Sequence, residues 1–218
     1  GTIYWDMQTL AATSSTDAID LVIGELSRGQ AGTTPLLDAL QSSSGYQFSL
    51  DGSTTSASGA NNAQAASLGG ALQSGSSAYF SVTLTNTSGH LFFLTGIGFG
   101  SRSTSTGPQR YSVRSSLDGF ATTISGGTGD LAASSNWAYV STTYAAPLAL
   151  PVGQPVEVRL YGSDGTATQR TAGNWRIDDL QFVVVPEPAA GAMGVLLVFL
   201  VTAVRRLRAA TVRRASRT

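Results

Sequence analysis

The chain has 218 residues, only 12% of them charged, with neither cysteine nor lysine, so a disulfide framework, a zinc–thiolate site and a thiol nucleophile are excluded. Its net charge of zero hides an asymmetry: all thirteen acidic residues lie at or before Glu187 beside seven arginines, a net of −6, while six arginines crowd the last fourteen positions. An acidic, lysine-free body of this length suits one sizeable domain plus a tail and argues against nucleic acid as a partner.

In chain order, Ala18 to Leu26 comes first and admits two readings. Ile19, Val22, Ile23 and Leu26 fit one helical face with Ser15 or Thr16 as its cap, but the stretch is β-branched and contains Gly24, which favours a strand. Residues 51–78 are rich in Ser, Gly, Ala and Asn and read as a long surface loop with a short helical turn at Asn62–Leu68. Beyond it, alternation of period two sets in. Phe80, Val82 and Leu84 share one face; so do Tyr111, Val113, Ser115 and Leu117, and so do Val156, Val158 and Leu160. His90 to Phe99 is apolar on both faces, as a central strand requires. Asp118-Gly119 is a tight-turn pair. Eight to ten strands follow from this spacing, and a two-sheet sandwich with them.

The last strand changes parity. Trp175 and Ile177 are odd, whereas Leu180, Phe182 and Val184 are even. Either an extra residue is inserted at Asp178-Asp179, or the strand is central with both faces buried.

After Pro186-Glu187-Pro188 comes a run of sixteen uncharged residues, Ala189 to Val204. As a helix it spans roughly 24 Å, short of a ~30 Å hydrocarbon core, and flanking arginines reach back toward the headgroups. A core helix of this length would have to bury every face and then end in six arginines. A transmembrane helix is therefore the reading, with Arg205, Arg206 and Arg208 on the cytoplasmic side and the body outside the cytoplasm.

Val185-Pro186-Glu187-Pro188, a short apolar helix and a terminal arginine cluster, in that order at a chain end, resemble the PEP-CTERM sorting signal. The resemblance covers about thirty residues. It implies export, recognition by an exosortase (a membrane cysteine protease), removal of the tail near the motif, and display at the cell surface or release into exopolysaccharide. Two features depart from that signal's usual setting. The arginine tail is longer, and no signal peptide precedes Gly1, which is not an initiator, so the N-terminus is expected to be trimmed or partial. The body resembles a common ectodomain of such proteins through Leu26-Ser27-Arg28-Gly29, Ala60-Asn61-Asn62-Ala63, Ala78-Tyr79-Phe80, the run Gly107 to Phe120, and Asn174-Trp175-Arg176-Ile177-Asp178-Asp179-Leu180. This implies a jelly roll, similar to carbohydrate-binding modules whose last strand carries an Ile-Asp-Asp-type motif.

Catalysis finds little support. His90 sits at a strand edge, no serine lies in a nucleophile elbow, and Gly126-Gly127-Thr128-Gly129 lacks the lysine of a phosphate loop and reads as a hairpin turn. Asp178 and Asp179, adjacent in a strand, point to opposite faces and cannot flank a glycosidic bond unless a bulge turns them to one side. Two further readings stay open for them. One is calcium, with Asp6 as third ligand, since such modules clip an ion between first and last strands. The other is a salt bridge from Asp178 to Arg176 or Arg159, with Asp179 on loop amides. Sugar rings stack on exposed aromatics; Trp137, after a Ser-Ser-Asn loop, and Tyr161, on the polar face of its strand, are the candidates, while Trp175 belongs to the core.

The sequence thus describes an all-β, two-sheet jelly-roll-like sandwich (residues 1–184) followed by a C-terminal transmembrane helix within a sorting signal (residues 185–218). The function that follows is non-enzymatic: an exported, membrane-anchored envelope or matrix protein, sorted by an exosortase and binding exopolysaccharide. A polysaccharide hydrolase on the same fold is the alternative.

Overall fold

The computed structural model describes residues 1–15, 20–30, 32, 34–57, 59–170 and 173–187. Thr16, Ala18, Ile19, Pro188, the apolar run 189–204 and Arg205, Arg206 and Arg208 lie outside the described residues. Contacts divide the chain into Gly1–Val185 and Pro186–Thr218. Among the described residues no helix is long and apolar enough to cross a membrane.

The first unit is built from strands. In chain order they are β1 (Thr2–Trp5), β2 (Ser14–Ser15), β3 (Leu21–Ile23), β4 (Ser27–Gly29), β5 (Leu37–Asp38), β6 (Gln47–Leu50), β7 (Ser53–Ser56), β8 (Asn62–Ala65), β9 (Tyr79–Asn86), β10 (Phe92–Ser103), β11 (Arg110–Ser115), β12 (Thr128–Asp130), β13 (Ser134–Leu150), β14 (Pro155–Ser163) and β15 (Trp175–Pro186). A seven-stranded sheet runs β13-β10-β15-β1-β2, with β8 joining β15 and β5 joining β8. A six-stranded sheet runs β12-β11-β14-β9-β3, with β4 also on β9. Strands β6 and β7 form a separate hairpin. The pairings within both sheets are antiparallel. From β9 onward the long strands fall alternately in one sheet and the other, the connectivity of a double-sheet jelly roll.

The alternating faces meet in one core. Phe80, Val82 and Leu84 of β9 and Val156, Val158 and Leu160 of β14 are buried, as are Ile3, Trp5, Leu94, Ile97, Phe99 and Trp175 of the opposite sheet. Phe80 packs against Trp175 at 4.9 Å and Phe99 meets Tyr111 edge-on at 5.3 Å, which joins the two sheets. Each such side chain contributes about 1.5–3 kcal/mol by leaving water. Leu117 departs from its expected face: it sits on the 3-10 turn Ser116–Asp118 and is exposed. That turn ends on Gly119 at φ 67, where only glycine is unstrained.

Two expectations need correction. The helical turn at Asn62–Leu68 is instead strand β8, all four residues buried between β15 and β5. Its alanines and amides are small enough for a strand covered on both faces, so a composition that suggested loop marks close packing. Ser53–Ser56 is likewise strand β7, not loop. Of the stretch Ala18–Leu26, Leu21–Ile23 is strand, paired with β9.

Candidate functional site: an aromatic shelf on the seven-stranded sheet

Strand β15 settles the parity change. Trp175, Ile177, Leu180, Phe182 and Val184 all belong to the core, and Asp179 between them adopts φ 48, in the left-handed region. One extra residue is accommodated there, as in a bulge. Arg176, Asp178 and Gln181 are buried too, so the strand is also covered on its outer face.

The bulge turns both carboxylates toward that outer face. Ser43 donates to Asp178 Oδ2 at 2.5 Å, and Asp178 Oδ1 accepts from the Asp179 amide at 2.8 Å. Asp179 takes hydrogen bonds from Tyr4 (2.5 Å) and Tyr46 (2.6 Å). Among the described residues neither acid has an arginine partner: Arg176 pairs with Asp38 at 2.7 Å and Arg159 with Glu157 at 2.7 Å, so neither forms the bridge to Asp178 that was one of the two readings. Burial above all, then the neighbouring Asp179 charge, pushes the Asp178 carboxyl up to about 7. Burial also raises Asp179, against the tyrosine hydrogen bonds that favour its charge. The Tyr4 and Tyr46 hydroxyls are raised by burial and by their bonds to Asp179.

Asp6 does not complete a cation site. Its carboxylate accepts from the Gln8 amide at 3.0 Å, and among the described residues no three His, Asp or Glu side chains are gathered to hold a metal ion. The oxygens of Asp178 and Asp179 are taken up by hydroxyls and an amide instead. Side by side and buried, these two acids also cannot face each other across a sugar bond.

Above them lies a layer of rings. Along β10, Gly98 and Gly100 alternate with the core residues Ile97 and Phe99. A methyl group on Gly98 would overlap the Tyr139 ring, and one on Gly100 the Tyr46 ring. The glycines thus make room for the hydroxyl ends of two tyrosines against the sheet. Tyr139 stacks on Phe48 at 5.4 Å and on Tyr46 at 5.8 Å; Tyr46 lies 6.4 Å from Trp137 and Phe48 lies 5.9 Å from Tyr4. Tyr46 and Phe48 arrive on the β6–β7 hairpin and are buried, whereas Trp137 and Tyr139, two apart on β13, are only partly buried. Sequence reasoning does not single out Tyr139; its signals are the two-residue spacing from Trp137 and the Gly96-Ile97-Gly98-Phe99-Gly100 run.

Tyr161 corrects a further expectation. It is fully buried, 5.1 Å from Tyr79, with its hydroxyl on the Ser74 carbonyl at 3.3 Å, because residues before β9 cover the outer face of the six-stranded sheet. It offers no stacking surface. Trp175 is in the core as expected, and His90 is exposed just before β10. A separate cleft of about 270 Å³, lined by Leu117, Thr122, Ile124, Pro147 and Leu148 among others, has no aromatic wall.

No protein-family model matches the chain, and no curated protein does. Among solved structures, the C-terminal CBM6 of LamC from Zobellia galactanivorans is 13% identical, with 73% of this chain and 99% of that one covered and a TM-score of 0.34. The family 11 carbohydrate-binding module from Clostridium thermocellum, in complex with a β-1,3-1,4-mixed-linked tetrasaccharide, is 10% identical over 84% of this chain and 95% of that one, with a TM-score of 0.33. An isomalto-dextranase of Arthrobacter globiformis T6, complexed with panose, is 12% identical over 84% of this chain but only 23% of its own, with a TM-score of 0.38. At these identities and scores the likenesses assign no function.

Proposed function

We propose that this is an exported, non-catalytic polysaccharide-binding protein of the cell envelope or matrix, which takes glycan on the shelf formed by Trp137 and Tyr139. The observation that carries this reading is the pair of partly exposed rings, Tyr139 seated over Gly98 and Trp137 beside it, both packed against Tyr46, whose hydroxyl end covers Gly100. Sugar rings present flat C–H faces that stack on such planes, and side chains already fixed by neighbours lose little entropy on binding. The hydrolase alternative would draw on Asp178 and Asp179, which are buried beneath the tyrosines and engaged with them. Export and display rest on the order of the last residues: Pro186-Glu187-Pro188, sixteen uncharged residues, then arginines. In this reading an exosortase cuts near the motif, and the membrane helix is the transient anchor. Native electrophoresis through gels containing dissolved polysaccharides tests the binding: retardation relative to a plain gel is expected, and identical mobility in every gel rejects it.

A further inference from the structure

Arg102 continues the outer-face row of Gly98 and Gly100, roughly 7 Å beyond Gly100 on the same strand. Its Nε donates to the carbonyl of Ser135 at 2.6 Å, where the β10–β13 register slips between Ser101 and Ser103. Trp137 stands two residues farther along that partner strand. The Ser135 bond takes up Nε, and the two terminal nitrogens carry four further N–H donors. Among the described residues Arg102 has no carboxylate partner; the ion pairs are Arg110–Asp130, Arg159–Glu157 and Arg176–Asp38. Burial, and then the nearby Arg176 charge, works against its own charged form. An anion docking at Arg102 supplies the counter-charge that offsets the repulsion from Arg176.

We propose that Arg102 is an anion-reading subsite at the end of the shelf, which selects polysaccharides carrying uronic acids. A uronate bears its carboxylate at the rim of the ring, so stacking on Trp137 directs that group along the sheet toward Arg102. A carboxylate matches the paired donors of a fixed guanidinium better than any neutral hydroxyl does. This inference rests on the reading of the shelf as the glycan site and adds the class of sugar.

The test is affinity electrophoresis of the full chain in detergent, with polygalacturonate and alginate as acidic gels and dextran and glucomannan as neutral ones. The wild type is expected to bind the acidic polymers about tenfold more tightly than the neutral ones, with that preference fading as salt rises. Arg102→Gln should lose the preference and keep the neutral binding; Arg102→Lys should keep part of it, and thermal melting checks that both variants fold. Trp137→Ala should weaken binding to all four gels. An Arg102→Gln protein that keeps the acidic preference, or a wild type that binds neutral and acidic polymers alike, overturns the subsite and leaves the shelf standing. No retardation in any gel rejects the shelf and the subsite together.

Discussion

The hydroxyl end of Tyr139 lies over Gly98, so close that a single added methyl group would overlap it. A sheet face that must carry flat rings needs strand positions without side chains, and β10 supplies them at the period of two. Gly98→Ala should therefore displace Tyr139 and destabilise the protein by ~1–3 kcal/mol. Gly89→Ala, at an exposed position with open space around it, should change stability by no more than about 0.5 kcal/mol. Urea unfolding of the two variants side by side checks both values.

Arg176 and Asp38 form the most enclosed of the ion pairs above, and Asn62 Oδ1 accepts a second hydrogen bond from Arg176 at 2.9 Å. The pair ties β5 to β15 across β8. Asp38→Ala leaves a guanidinium under the sheet without its counter-charge, at a cost of about 3–5 kcal/mol. Replacing both partners with apolar residues (Asp38→Leu with Arg176→Met) should recover much of that loss. A double variant as unstable as the single one would show that packing, not charge, holds this corner.

Stability should fall as pH rises through the neutral range. The folded Asp178 carboxyl titrates at about 7 against an ordinary value of 3.8. Between those values the native state keeps a proton that the unfolded chain releases. The stabilisation is full below about pH 4 and is lost by about pH 7, on the order of 4 kcal/mol across the window. Chemical denaturation between about pH 4.5 and pH 8 reads the slope, and Asp178→Asn should flatten it.

Processing of the tail gives a prediction in cells that make an exosortase. Replacing Pro186 and Glu187 by alanine should leave the C-terminal arginines on the protein, whereas the wild type loses them. Intact-mass measurement of the membrane and surface fractions distinguishes the two.

Much of the sandwich was legible because burial writes itself as alternation. Phe80, Val82 and Leu84, and Val156, Val158 and Leu160, read correctly because one face of each strand meets the core. Parity pointed to a bulge at Asp178-Asp179 but left a strand buried on both faces as the alternative. Asp179 has the left-handed backbone of the first, and Arg176, Asp178 and Gln181 are buried as in the second. Strand β8 was not legible: Asn62, Ala63, Gln64 and Ala65 are buried on both faces, so no alternation remains, and small polar residues resemble loop. Tyr161 misled because its strand is outward-facing by period, while the residues that cover it come from a segment with no period of its own. The shelf depends on Tyr46 and Phe48, which sit on β10 and β13 only through the hairpin's long-range packing.

The claim on which the account turns is that Trp137 touches the glycan. Isothermal titration of a polysaccharide that retards the wild type should show about tenfold or greater weakening for Trp137→Ala at unchanged melting temperature. Tyr161→Phe, which removes only a buried hydroxyl far from this face, should leave the affinity as it was. Equal affinity in wild type and Trp137→Ala would contradict the assignment of this face.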